Sequence, residues 1–192
     1  MVMVMNQLRG ETLGDWFERR GEVAVGDVAA LCVPVAEALQ AAHALGIIHR
    51  DLKPDNVFLA QRDGDLVPTV LDFGIAKVLD PLSIDDTGSR TVTGTVLGTP
   101  YYMSLEQALG DTHVDQRTDI WSLGLIMFEL LAGERPMRFE NLGQMYQALL
   151  VGEVPSLRTR SPHLPEDVIA LVDGCLAKQP EDRIDDVARI IE

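Results

Sequence analysis

Cysteine is scarce: only two occur in 192 residues, Cys32 and Cys175, far apart and in no CxxC pattern. That excludes a disulfide framework and a cysteine-based zinc site, and it fits a reducing compartment in which both thiols serve as small buried hydrophobes. Basic residues are few as well. Lys plus Arg is 16 against 30 Asp plus Glu, a formal charge of −14. Such a surface repels phosphate backbones and anionic lipid, so no nucleic-acid partner is expected. No repeat or low-complexity tract is present. The longest apolar stretch, Ile120 to Ala132, carries Ser122 and Glu129 and is too short to span a bilayer, so no membrane segment is expected. Arg9 and Glu11 follow directly on the apolar Met1 to Met5, with no basic region before them, which does not read as a signal peptide. A soluble, cytoplasmic chain is the expectation.

What is there is an ordinary globular composition, 46% hydrophobic and 24% charged, long enough to bury one core. Helical periodicity dominates. Val28, Leu31, Val35 and Leu39 follow Asp27, a candidate N-cap, and Gly46 closes the segment. Pro34 inside it predicts a kink or local break. Ile120 to Leu131 is apolar nearly all round and predicts a central buried helix, stopped by Gly133 and Pro136. Asn141 caps a further short helix, and Pro165, Glu166 and Asp167 open another. Strand signals are few. Val57 to Leu59 and Val67 to Leu71 flank Asp63-Gly64 and predict a small β-hairpin. The stretch from Lys77 to Gly98 has little periodicity, and a loop of that length is usually functional.

The chemistry concentrates in His49-Arg50-Asp51-Leu52-Lys53-Pro54-Asp55-Asn56, followed sixteen residues on by Asp72-Phe73-Gly74. The tripeptide alone is weak; the eight-residue run is not a chance event. Here the sequence resembles the serine/threonine protein kinases, most closely their bacterial branch. The resemblance continues in order: Gly98 to Glu106 is similar to the end of an activation segment, Asp119 to Gly124 to the start of the central helix, and Arg183 to the late arginine that pairs with Glu106. Val4 to Leu8 and Gly10 to Leu13 resemble the hinge and the segment after it, so the hinge falls at about residues 3–10 and the large lobe at 11–192. The fold so implied is mainly α with a small β-hairpin element, a kinase-like large lobe with the small N-terminal lobe absent.

The resemblance implies ATP and Mg²⁺ as cofactors and proteins as substrates, with phosphate passing to Ser or Thr. Phosphoryl transfer asks a protein mainly for positioning and charge neutralisation. Asp51 is implied as the group that accepts or orients the acceptor hydroxyl's proton, with Lys53 near the γ-phosphate and Thr99 shaping the hydroxyl site. Asn56 and Asp72 are hard oxygen ligands suited to Mg²⁺. The backbone of Asn6 to Leu8 is implied against the adenine edge, with Met5 at the back of that pocket, Phe58 under the ring and Glu11 toward the ribose. Structural roles fall to His49 and Phe73 in the interlobe spine, to Gly74 in the turn, to Asp119 beneath the catalytic loop, and to Glu106 with Arg183. Arg50 leaves a cation beside Asp51, and Thr91, Thr93 and Thr95 lie in the activation segment, so phosphorylation there is expected to order the loop on Arg50. Two features depart from the family pattern. Leu105 stands where Pro is usual, and no Gly-rich phosphate loop or strand Lys occurs in the sequence. The 192 residues alone are therefore expected to transfer little phosphate. The readings left are a segment of an active serine/threonine kinase and a catalytically inactive kinase-lobe remnant that serves as a protein-binding module; an unrelated helical binding protein would not explain the order of the motifs.

Overall fold

The computed structural model describes residues 8–62, 64–73 and 101–192. It opens on a three-residue strand, β1 (Gly10–Thr12), which runs straight into α1 (Leu13–Arg20). The Thr12 side chain accepts from the backbone N–H of Asp15 at 3.1 Å and so caps α1, which buries Leu13 and Trp16. Next comes α2 (Val25–His43), whose inner face buries Val28, Leu31, Cys32, Val35, Ala36, Leu39 and Ala42. Two expectations need correction here. The helix starts after Ala24, placing Asp27 in its first turn and not at the N-cap, and it runs unbroken through Pro34. A proline inside a helix costs about 3 kcal/mol. Burying seven apolar side chains, at about 1.5–3 kcal/mol for each large one, outweighs that cost. Among the described residues α2 is also the one helix long and apolar enough to cross a membrane by length and composition, a feature shared by buried core helices.

After α2 the chain forms an irregular segment and a single 3₁₀ turn, Pro54–Asn56, then the antiparallel strands β2 (Val57–Arg62) and β3 (Asp65–Val70). Arg62 pairs with Asp65 at the end of the ladder, with Gly64 at φ +98°. The element is larger than the expected hairpin. β1 adds to the free side of β2, with Glu11 opposite Leu59, giving a three-stranded sheet in the order β1-β2-β3. Gly10 makes that addition possible: its φ is +146°, and a Cβ there would sit 2.0 Å from the Leu59 carbonyl oxygen. A three-residue strand reading Gly-Glu-Thr has no β signal of its own, which is why the sequence did not reveal it.

From residue 101 on the chain carries α3 (Leu105–Ala108), α4 (Arg117–Ala132), α5 (Leu142–Leu150), α6 (Glu166–Cys175) and α7 (Ala188–Ile191), joined by irregular segments and short 3₁₀ turns. α4 is the axis of the core, with every residue from Thr118 to Leu131 buried. It ends at Gly133 in the left-handed conformation, φ +72°. α4 and α6 approach at Gly124, where a Cβ would lie 2.7 Å from that of Cys175. Asn141 caps α5, accepting from Gln144 N–H at 3.0 Å. Both cysteines are unpaired and buried, and burial pushes both thiols up to about 12, so they stay protonated and chemically quiet.

Candidate active site

The site is built on the irregular segment between α2 and β2. Its backbone has no sheet or helix to satisfy it, so side chains take over that task. Asp119, in the first turn of α4 and fully buried, accepts from the backbone N–H groups of His49 and Arg50, both at 2.9 Å. The same carboxylate receives His43 Nε2 from the end of α2 at 2.7 Å. Three donors thus satisfy a carboxylate that burial would otherwise penalise. The His49 ring, itself fully buried, bridges the segment's two ends. Its Nε2 lies 2.8 Å from the Leu71 carbonyl, while Nδ1 accepts from Asp51 N–H at 3.3 Å. Its face meets Phe73 with ring centroids 5.1 Å apart. These bonds carry the segment out to Asp51, whose side chain is 44% exposed and reaches solvent beside Lys53.

Three of the polar groups expected to act together, Asp51, Lys53 and Asn56, do converge. Lys53 Nζ lies 3.4 Å from Asp51 Oδ2. Asn56 Nδ2 donates to the Asp51 carbonyl at 2.7 Å and to its carboxylate at 3.2 Å. With its NH₂ so committed, Asn56 presents its amide oxygen as the remaining donor atom toward a cation. Asp72 is exposed, and the backbone just before it is tied to the same element, Leu71 N–H donating to the Asn56 carbonyl at 2.8 Å. The two non-glycine residues with positive φ among the described residues both belong to this site, Arg50 at +63° and Asp72 at +50°. Each such conformation costs about 1–3 kcal/mol and persists only where the surroundings enforce it.

The donor set can be tested against the implied Mg²⁺. Among the described residues no group of three or more His, Cys, Asp or Glu side chains could hold a metal. One carboxylate and one amide oxygen, Asp72 and Asn56, suit instead an ion that keeps phosphate oxygens and water as its other ligands, which is how Mg²⁺ binds nucleotides. The residues present fit the ion.

Of the other expected residues, Leu8 is half-buried just before β1, and Phe58 is half-buried on β2, opposite Thr12 and Thr69. The carboxylate of Glu11 is ion-paired with Arg19. Met5, Asn6, Gly74, Thr91, Thr93, Thr95 and Thr99 lie outside the described residues.

Glu106 and Arg183 meet in a bidentate pair at 2.8 and 3.2 Å. The Arg183 side chain is fully buried, and its remaining N–H groups donate to the carbonyls of Ala177, Arg117 and Lys178 at 3.0, 2.8 and 3.2 Å. The guanidinium lies 5.0 Å over the Trp121 ring. Residues 101–104 are fastened nearby. Tyr101 stacks on Phe139 at 5.4 Å beneath Arg135, and Tyr102 OH donates to Glu129, which also pairs with Arg135 at 3.0 Å. Burial, reinforced by the Glu129 charge, pushes the Tyr102 hydroxyl well above its ordinary pKa, so it remains a donor. His43 and Gln107 are part of the site's framework without having been singled out from the sequence. Each lies far along the chain from its partner, so no local pattern marks them.

Residues 1–190 match the family model described as protein kinase domain. The chain is 40% identical over 187 residues to the serine/threonine-protein kinase Pkn1 of Myxococcus xanthus, and 37% identical over 190 residues to the serine/threonine-protein kinase PknB of Mycolicibacterium smegmatis. These alignments cover 97% and 98% of the chain but only 26% and 29% of those relatives. Among solved structures, the Mycobacterium tuberculosis PknI kinase domain superposes with a TM-score of 0.71 at 28% identity, over 97% of this chain and 62% of that one.

Proposed function

The chain belongs to the protein kinase domain family, and from that premise we propose that the full-length protein transfers the γ-phosphate of ATP to Ser or Thr hydroxyls of proteins, with this segment as the large-lobe part of its catalytic domain. The observation that carries the proposal is the convergence of Asp51, Lys53 and Asn56 on a segment whose backbone is fixed by buried Asp119 and His49. In this reading Asp51 orients the acceptor hydroxyl and takes up its proton as the bond to phosphorus forms. Lys53 places positive charge at the phosphoryl group in transit. Asn56 and Asp72 hold Mg²⁺, which when bound neutralises phosphate charge. By the family resemblance the hydroxyl site would also use Thr99. By the same resemblance the adenine would fall to Met5, Asn6 and Leu8, with Phe58 and Glu11 as the further nucleotide-side residues. In this reading a Gly-rich loop and a strand Lys would cover the phosphates, and neither motif occurs in the 192 residues. Without such a cover the nucleotide has one wall and water is not excluded.

The test is direct. Full-length protein, incubated with γ-labelled ATP, Mg²⁺ and a protein acceptor, is expected to place label on serine or threonine, and chelation of Mg²⁺ is expected to stop it. Absence of label with Mg²⁺ present would overturn the proposal in favour of a non-catalytic binding lobe.

Regulation follows from Arg50. Its Nε is buried with no hydrogen-bond partner among the described residues, a costly state for a cation donor. A phosphate on Thr91, Thr93 or Thr95 brings about −2 charge and several acceptor oxygens, which would satisfy that donor and tie the segment before Glu106 to Arg50. Replacing all three threonines by Ala is expected to lower the transfer rate of the full-length protein at least tenfold, read from initial rates. An unchanged rate would remove phosphorylation at these positions from the account.

A further inference from the structure

We propose that Gln107 is a positioning residue for Asp51, acting through the carbonyl of Arg50. Arg50 immediately precedes Asp51 and is held at φ +63°. Neither of its backbone groups bonds to another backbone group among the described residues. Its N–H donates to Asp119 Oδ1 at 2.9 Å, from α4, and its carbonyl accepts from Gln107 Nε2 at 2.7 Å, from α3. Two side chains on two helices therefore grip one strained residue from opposite ends. Release of either end would let Arg50 relax toward the ordinary φ region and carry Asp51 with it.

The far end of the Gln107 amide is fixed too. Its Oε1 accepts from the Ser104 backbone N–H at 3.2 Å and from the Ser104 hydroxyl at 3.3 Å. Ser104 is fully buried, and its hydroxyl lies 2.8 Å from that of Thr118, the residue before Asp119 on α4. The two grips on Arg50 thus join behind it through Ser104 and Thr118. The chemistry selects a carboxamide. One terminus must donate to a carbonyl and the other must accept from an N–H, at the reach of a three-carbon side chain. Glutamate would set a carboxylate oxygen against the Arg50 carbonyl. Asparagine is one methylene short. Gln107 directly follows Glu106, so the grip also links the end of the segment that holds Thr91, Thr93 and Thr95 to the residue before Asp51.

The catalytic consequence rests on the kinase reading; the grip itself does not. Both are tested in the full-length protein with Gln107→Glu and Gln107→Met, which keep the side chain's length and remove the donor. Amide hydrogen exchange reads the grip. Exchange in the stretch 49–51 is expected to speed up about tenfold or more, the loss of roughly one hydrogen bond's protection. Exchange in α4 should stay unchanged and serves as the check that the variants are folded. Transfer kinetics read the consequence. The kcat is expected to fall about 10–100-fold, as a displacement near 1 Å at the reacting groups would cause, with KM for ATP within about twofold of wild type. Unchanged exchange at 49–51 in both variants would overturn the grip. Faster exchange with unchanged kcat would overturn the positioning role. A wild-type protein without transfer would refute the kinase reading alone, and exchange at 49–51 would still decide for or against the grip.

Discussion

Replacing Arg183 with Met is expected to destabilise the domain by about 3–5 kcal/mol, a fall in Tm of roughly 6–20 °C for a domain of this size, read by thermal or denaturant unfolding. The estimate follows from what the side chain does. Taking a guanidinium into a fully buried position is costly in itself, and a bidentate carboxylate offsets that cost only when the other donors are also used. All five N–H groups of Arg183 are used, two on Glu106 and three on carbonyls. The Met variant leaves Glu106 buried and unpaired, and it strips partners from the carbonyls of Ala177, Lys178 and Arg117. The double variant Glu106→Leu with Arg183→Met removes the stranded carboxylate but not the stranded carbonyls. It is therefore expected to recover only part of the loss. Full recovery would mean that the ion pair, and not the carbonyl bonds, carries the stabilisation. A loss under about 1 kcal/mol in the single variant would contradict the account of this site.

The hydrophobic pattern of Ile120 to Leu131 was enough to find α4 and its burial, because a helix apolar on every side has few places to go except the core. Asn141 and Gly133 marked helix ends for the local reasons that usually make them do so. The motif order made the family legible. Three things were not legible, each because it depends on contacts distant in sequence. β1 exists because Gly10 tolerates the Leu59 carbonyl, not because Gly-Glu-Thr favours a strand. Pro34 sits in an unbroken helix because the packing of α2 outweighs the local penalty. His43 and Gln107 gain their importance from Asp119 and Arg50, 76 and 57 residues away, and no spacing rule connects them. Convergence of Asp51, Lys53 and Asn56 was readable because all three lie within one short segment. The framework that fixes them was readable only in part, at Asp119 and His49.

That framework gives the second large effect, at Asp51. Its side chain is solvent-facing while its backbone is anchored through His49 and Asp119, so the carboxylate can meet an acceptor without loss of position. Asparagine at this place is nearly isosteric. Its oxygen can still receive Asn56 Nδ2, so the loop's geometry is preserved while the proton acceptor and the negative charge are lost. The measurement that bears most directly on the account is therefore the rate of γ-phosphate transfer to serine or threonine by the full-length protein, wild type beside Asp51→Asn, with KM for ATP determined for both. The account predicts a loss of about 10²–10⁴-fold in kcat, the contribution of a positioned general base, with KM for ATP little changed because the proposed role of Asp51 is toward the acceptor hydroxyl. Equal rates in the two proteins would contradict it, for transfer would then owe nothing to the residue around which the site is built.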